Sequence, residues 1–464
     1  MSRLRIVGGT PLSGTVRASG SKNAALPMMA AAILATEPVT LEGVPRLADV
    51  DTLSRVLAQL GVEVGEKKGT EEKRGTGPIC RHGPQGASHK LDLSPFSRQL
   101  RLETVDPTPV RAGYELVRRM RASFCVLGPL LARRGRAVVS LPGGCNLGPR
   151  PVDLHLKGLA ALGADLRIER GYVVARARRL VGATIRLDGP RGPTVTGTAN
   201  VLAAAVLARG ETTITGAAAE PEIVDLGNFL NRLGARITGL GTRTLRITGV
   251  DQLGGATHRV IPDRIEAATL LLAAAITRGT ATVAGVVPEH LRAVLDKLEK
   301  AGFGIDVSED RVTITTLGSV RPVDVTARPY PGVPTDLQAQ WMALVSLAEG
   351  QSRVADRVFP SRWMHVAELR RLGARIEVDE GGAVVTGVDR LSGAPVTATD
   401  LRASAALVLA GLAAGGTTIL HAAGHLDRGY QRLDRKLAQL GAHVERVPSR
   451  PVATAGASGY DRRG

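Results

Sequence analysis

Aromatic residues are scarce in this chain, at 3% of 464 positions. A core with so few rings must be filled by Leu, Val, Ile and Ala, and such a surface offers little for stacking bases, so no nucleic-acid partner is expected. Cysteine is equally sparse, limited to Cys80, Cys125 and Cys145. An odd count without CxxC spacing argues against a disulfide framework and against a thiolate zinc site, so we expect no metal and a reducing, cytoplasmic setting. No run of 18 apolar residues occurs, and Met1-Ser2-Arg3-Leu4-Arg5 opens no signal-peptide stretch. Neither a membrane span nor a membrane partner is expected. Lysine is also short: of the 60 basic residues, 9 are Lys and 51 are Arg.

What remains is an Arg-rich, aliphatic, globular composition with a net charge of +17. Arg grips carboxylates and phosphates through two parallel N–H bonds, which suits a multiply anionic ligand. A general surface bias toward Arg accounts equally well for many of them, as in Arg432-Leu433-Asp434-Arg435. The length exceeds one ordinary core and suits two or three domains.

Internal repetition is the strongest pattern. Six Ala/Leu-rich helical stretches begin near Ala30, Gly128, Ala203, Leu272, Leu344 and Leu409, and five of them meet a Gly before a β-branched run such as Thr212-Thr213-Ile214. Each such Gly fits a left-handed helix cap, and the run after it reads as a strand. A second helix then ends at Gly61, Gly163, Gly234, Gly302, Gly373 or Gly441, at spacings of 102, 71, 68, 71 and 68. Val224, Leu226, Phe229, Leu230 and Leu233 illustrate the apolar stripe of these second helices. Each unit thus reads as α-β-α-β. The long first interval implies an insertion, placed at about 65–97, where charge and Gly replace apolar periodicity. The Ser-, Gly- and Arg-rich stretch 448–464 reads as a disordered tail. Two lobes of three units, joined near Thr257 to Pro262, would leave a cleft between them.

Four segments carry polar residues that the repeat does not require. Ser19-Gly20-Ser21-Lys22-Asn23 precedes a helix and suits either anion binding or an ordinary cap. The loop from Leu141 to His155 places Cys145 near Arg150, whose charge favours the thiolate, and it holds three prolines. Cys125, inside a Leu-rich helix, reads as an inert buried thiol. Tyr330 to Gln338 approaches a helix with Asp336 as a first-turn carboxylate or a general base. Arg362, Arg402 and Arg428 occupy equivalent phases of different repeats and would converge if the repeats are pseudo-symmetric.

Taken together and in order, these motifs resemble the UDP-N-acetylglucosamine 1-carboxyvinyltransferase family of enolpyruvyl transferases. They include Ser21–Leu26, Met120–Ser123, Pro142–Cys145, Arg150–His155, Glu220–Asp225, Pro334–Gln340, Thr399–Ser404 and Asp427–Tyr430. The resemblance runs from about residue 5 to 447. A sister family, 5-enolpyruvylshikimate-3-phosphate synthase, lacks the Cys loop and the Arg150–His155 run.

The resemblance implies an α/β fold, a two-lobed inside-out α/β barrel of six βαβαββ units, three per lobe. One lobe would comprise 1–21 plus 261–447, carrying Asp336, Arg362, Arg402 and Arg428. The other would comprise 22–260, carrying the Cys145 loop. It implies transfer of the enolpyruvyl group of phosphoenolpyruvate to the 3-hydroxyl of UDP-N-acetylglucosamine with release of phosphate, the first committed step of peptidoglycan precursor synthesis, without a cofactor. Lys22, Arg150 and Arg428 match residues around the phosphate, Arg362 and Arg402 those near the carboxylate, and Arg121 a further active-site Arg. Asn23 and Asp336 match contacts to the amino sugar, Asp336 as base. Arg150, Pro151, Val152, Asp153, Leu154 and His155 match the uridine-binding loop, and Val358 a residue lining the nucleotide pocket. Cys145 matches the loop thiol tied to proton transfer at the methylene carbon, which fosfomycin-type epoxides attack. Pro149 and the pair Pro360-Ser361 depart from the family pattern. The departure at 360–361 keeps open a paralogue acting on another uridine nucleotide such as UMP, and the charge keeps open a non-catalytic polyanion binder.

Overall fold

The structure, a computed structural model, describes residues 2–67, 98–143 and 152–448. Cys80, Cys145, Arg150 and Pro151, most of the expected insertion and all but the first residue of the expected tail lie outside these.

Six four-stranded sheets share one strand order. In the unit around Thr184–Thr248 the first strand (Thr184–Arg186) lies parallel to the second (Glu211–Thr215), and the fourth (Thr244–Thr248) runs antiparallel between the second and the third (Arg236–Thr238). The helices Val195–Ala205 and Pro221–Arg232 connect these strands, which makes the unit βαβαββ. The sequence reading of α-β-α-β thus missed two strands per unit. The missed first strands are as short as Thr184–Arg186, Thr257–Arg259 and Pro395–Thr397, too short to show a period.

In each unit the first helix is the inner one. Arg264–Ile276 is buried at every position after Arg264, and Leu401–Ala413 nearly so. A helix apolar on all sides must lie inside a core. Each fully buried Leu or Ile there stabilises the fold by about 1.5–3 kcal/mol. The sheets lie outside these helices. Outer helices such as Pro221–Arg232 bury one stripe, with Leu226, Phe229 and Leu230 inside while Val224 is half-exposed.

Gly61, Gly163, Gly234, Gly302, Gly373 and Gly441 all take positive φ, as expected for helix ends. The glycines expected to cap the first helices do not all do so: Gly135 caps Leu127–Arg134 at φ 68°, Gly210 and Gly416 take positive φ only beyond the ends of Val195–Ala205 and Leu401–Ala413, Gly350 lies at φ 141°, and the unit of Arg264–Ile276 uses another residue. There Arg278 takes the left-handed turn at φ 56°. Gly279 is needed for a different reason, since a Cβ on it would lie 2.0 Å from the Leu12 carbonyl oxygen. The insertion also begins later than expected: Gly65, Glu66 and Lys67 belong to the strand Val62–Lys67, paired with Arg98–Thr104.

Buried hydrophobic residues form two clusters, one from Ala24 to Val260 and one combining Leu4–Ala18 with Ile265–Ala442. The chain passes between them twice. Ser13–Arg17 is the parallel edge strand beside Thr280–Ala284, while Thr257–Arg259 is the edge strand beside Val39–Val44. Arg3–Val7 lies between Thr417–His421 and His443–Val447. The two linking segments are bonded to each other: Ser21 N donates to Ile261 O at 2.7 Å and Asp263 N to Ser19 O at 2.8 Å. Gly20 sits at this crossing, where a Cβ would lie 1.9 Å from the Gly43 carbonyl oxygen.

Candidate active site

The crossing leads directly into the Lys22–Ala31 helix. Ser21 caps it by accepting from Ala24 N at 3.3 Å, so the ordinary capping role is real. Asp263 Oδ2 also accepts from Lys22 N at 3.2 Å. The Lys22 side chain is buried and meets Asp49 Oδ2 at 2.5 Å. Asp49 Oδ1 in turn accepts from Arg428 Nε at 2.9 Å, and Arg428 Nη2 donates to Arg119 O at 3.2 Å. Arg428 thereby reaches from one cluster's elements to the other's. Burial, with Arg402 and Arg428 nearby, pulls the Lys22 pKa below its usual value against the pull of Asp49. Burial opposes ionisation of Asp49, but Lys22 and Arg428 outweigh it and hold this carboxyl below the usual range.

Asp336 anchors a second group. It lies in the short turn Thr335–Leu337 ahead of Gln338–Val345, as a first-turn carboxylate. Asp336 Oδ1 accepts from Arg362 Nη1 at 3.2 Å, and Oδ2 from Arg402 Nε at 3.1 Å, with Arg402 Nη2 at 3.0 Å. The two guanidinium side chains are 4% and 2% exposed, whereas the carboxylate is 27% exposed. The acid is therefore the most solvent-exposed member of this group. Arg402 sits 5.0 Å over the Tyr430 ring. Tyr430 is fixed by Gln340 Nε2 at 3.0 Å and Thr269 Oγ1 at 3.2 Å. Burial disfavours the Arg402 charge, but Asp336, Tyr430 and Asp263 outweigh it and raise its pKa. The Arg402 charge also disfavours the Lys22 charge, so the two groups act on one another electrostatically.

Arg362 extends the network by donating to Thr335 O at 3.0 Å and Thr335 Oγ1 at 3.2 Å. Thr335 Oγ1 donates to Asp356 Oδ2 at 2.5 Å. The other Asp356 oxygen accepts from Val358 N at 2.8 Å and Phe359 N at 2.7 Å. Asp356 also borders a pocket between the lobes, with Arg191 and Arg243 on one side and Arg328, Arg357 and Trp363 on the other. That pocket adjoins the ion-pair groups at Asp356; Asp336 and Lys22 do not line it.

The expected convergence of Arg362 and Arg402 is present, with Arg428 on the neighbouring Lys22 group. Asn23 follows Lys22 and is half-buried, and Arg121 opens the turn Arg121–Val126. Val152, Asp153 and Leu154 start the Asp153–Ala161 helix, with Asp153 exposed. His155 is neither on the helix surface nor in the open cleft: it is 2% exposed and turned into the core. Its Nδ1 lies 3.0 Å from Asn200 Nδ2 and its Nε2 lies 3.2 Å from Thr196 Oγ1. Asn200 Oδ1 accepts from Gly128 N at 2.6 Å, which orients the amide so that its NH2 faces Phe124 O and the ring. His155 Nδ1 is therefore an acceptor, and the ring is neutral. Burial and the Arg121 charge push its pKa down to about 3. Cys125 is a buried thiol whose pKa burial raises to about 12, as an inert side chain requires.

Asp49, Asp356, Thr335 and Tyr430 were not singled out from sequence. Only burial distinguishes Asp49, at 3% exposure, from the exposed Asp51 in the same first helical turn.

The sequence pattern of the family described as EPSP synthase (3-phosphoshikimate 1-carboxyvinyltransferase) matches residues 6–89 and 99–437. A UDP-N-acetylglucosamine 1-carboxyvinyltransferase from Azorhizobium caulinodans is 50% identical, covering 96% of this chain and 100% of that relative. One from Akkermansia muciniphila is 47% identical, covering 97% and 99%. Among solved structures, the enolpyruvyl transferase NikO from Streptomyces tendae superposes with a TM-score of 0.79 at 28% identity, covering 97% of this chain and 99% of that one. An EPSP synthase from Acinetobacter baumannii gives 0.69 at 17% identity over 97% and 100%, a likeness of fold alone.

Proposed function

Because the chain belongs to the UDP-N-acetylglucosamine 1-carboxyvinyltransferase family, we propose that it transfers the enolpyruvyl group of phosphoenolpyruvate to the 3-hydroxyl of UDP-N-acetylglucosamine. The observation that carries this reading is the partly exposed Asp336 carboxylate, held by the two buried guanidiniums of Arg362 and Arg402, together with the Lys22–Asp49–Arg428 ion-pair group.

The reaction needs one proton removed and one delivered. The sugar oxygen attacks C2 of phosphoenolpyruvate while C3 gains a proton and becomes a methyl group. The tetrahedral intermediate then loses phosphate from C2 and a proton from C3, which restores the double bond. Asp336 is proposed to take the hydroxyl proton. Its two oxygens accept from Arg362 and Arg402. A substrate carboxylate that takes over those guanidiniums would leave an Asp336 oxygen to accept the hydroxyl proton when the acceptor is aligned. Lys22, Arg402 and Arg428 supply positive charge where the intermediate carries carboxylate and phosphate, with little reorganisation because Lys22 and Arg402 are buried and all three are held by ion pairs. Arg150 and the thiol of Cys145, as proton donor to C3, complete the set through the family resemblance. Asn23 and Arg121 face the same chemistry from the Lys22 side, and Val152–His155 with Val358 are assigned to the nucleotide. The inter-lobe pocket, with arginines on both walls, suits a diphosphate, and lobe closure over it would exclude water.

Among the described residues no helix is long and apolar enough to cross a membrane, and a cytoplasmic setting is part of the proposal. The test is phosphate release and product mass from phosphoenolpyruvate with UDP-N-acetylglucosamine and, separately, UMP. Product with the first supports the reading. Product with UMP alone replaces it with a paralogous transferase, and salt-sensitive RNA binding without either product removes it.

A further inference from the structure

Asp356 ends the strand Gln351–Asp356 and is 4% exposed. Both of its carboxylate oxygens are committed: Oδ1 to the backbone amides of Val358 and Phe359, Oδ2 to the Thr335 hydroxyl. A buried carboxylate holding three donors is costly unless its geometry is fixed. Here it fixes two things at once. Arg357 and Pro360, which flank those two amides, line the inter-lobe pocket, and Thr335 immediately precedes Asp336. Arg362 Nη1 forks between Thr335 O, Thr335 Oγ1 and Asp336 Oδ1, so a shift of Thr335 moves both members of that ion pair.

We infer that Asp356 is a positioning residue that joins the pocket segment 357–360 to the Asp336 carboxylate through Thr335, so that filling the pocket sets the base. This rests on the transferase reading above. Asp356 touches no reacting atom; it acts through Thr335 and Arg362. Displacements near 1 Å at a reacting group cost on the order of 100-fold in rate, so the link is large enough to measure.

The experiment uses the full chain and follows phosphate release. Thr335→Val removes the hydroxyl and leaves the bonds from Asp356 to the pocket segment. It should lower kcat about tenfold or more while the KM for UDP-N-acetylglucosamine changes by less than about threefold. Asp356→Asn disturbs both arms, and should lower kcat and also raise that KM. In an Asp336→Asn background, Thr335→Val should have no further effect on kcat, because the group it positions is gone. Thermal melts confirm that each variant is folded, and Thr335→Val remains informative if Asp356→Asn does not fold. Wild-type kcat in Thr335→Val, or losses that multiply in the double variant, would overturn the inference. A silent wild-type chain overturns the transferase reading and this inference with it, whereas an active wild type with an unaffected variant overturns this inference alone.

Discussion

Lys436→Met should be among the most damaging single changes outside the cleft. Lys436 Nζ lies 2.8 Å from Glu266 Oε2 and donates to Ser19 Oγ at 2.7 Å, and both side chains of the pair are 2% exposed. Glu266 Oε2 also accepts from Ser19 N at 2.5 Å, so the pair clamps the start of the first crossing segment. At 2.8 Å and an effective dielectric near 20 the attraction is about 6 kcal/mol. Removing one partner leaves a buried, uncompensated carboxylate, and the expected loss is about 3–5 kcal/mol. For a lobe of this size that lowers the melting temperature by roughly 6–20 °C. The paired change Lys436→Met/Glu266→Gln should recover most of it, since no lone charge is left. Of the only two tryptophans, Trp341 lies in and Trp363 packs against the hydrophobic cluster that holds Ile265, Ala267 and Leu437 next to this pair, so fluorescence-detected melting reads the affected lobe. A single variant within about 1 kcal/mol of wild type, or a double variant as unstable as the single, would refute the reasoning.

Acidification should destabilise the protein through two buried histidines. Burial holds His155 down to about 3 and His365 down to about 4, so the folded state keeps both neutral below the unfolded value near 6.5. As pH falls from 6.5 toward those values the unfolded chain binds more protons, and stability drops by about 1.4 kcal/mol per pH unit per residue. A melting temperature that stays flat from pH 7 to 5 contradicts this. Asn200→Ala should cost roughly 3 kcal/mol or more in chemical denaturation, because it strands Gly128 N, Phe124 O and His155 Nδ1 at once. Alkylation by a fosfomycin-type epoxide should inactivate the chain with a single adduct that Cys145→Ser abolishes, and peptide mapping should find Cys125 unmodified while the protein is folded.

Much of the fold was legible because it repeats. Positive-φ glycines at the second helix ends and helices apolar on every side both leave a periodic trace in one dimension. Three-residue edge strands leave none. Nor does the exchange of strands between distant parts of the chain, since Leu4 pairs with Leu420 through backbone bonds that any side chain permits. In the site, Arg362 and Arg402 were legible from their repeat phase. Asp49 and Asp356 were not, because an acid at a helix start or a strand end is ordinary until its burial is known. His155 shows another gap: nothing in its motif tells that the ring itself is held by Asn200 and Thr196.

The two crossings also constrain the order in which the protein is made. The elements around Lys22–Arg259 complete their three sheets among themselves and can mature on the ribosome. Arg3–Val7 and Ser13–Arg17 emerge first, yet their partners are Thr280–Ala284, Thr417–His421 and His443–Val447. Ser13–Arg17 must wait with an open edge for Thr280–Ala284, and Arg3–Val7 for His443–Val447, and so one half of the active cleft is the last part of the enzyme to exist.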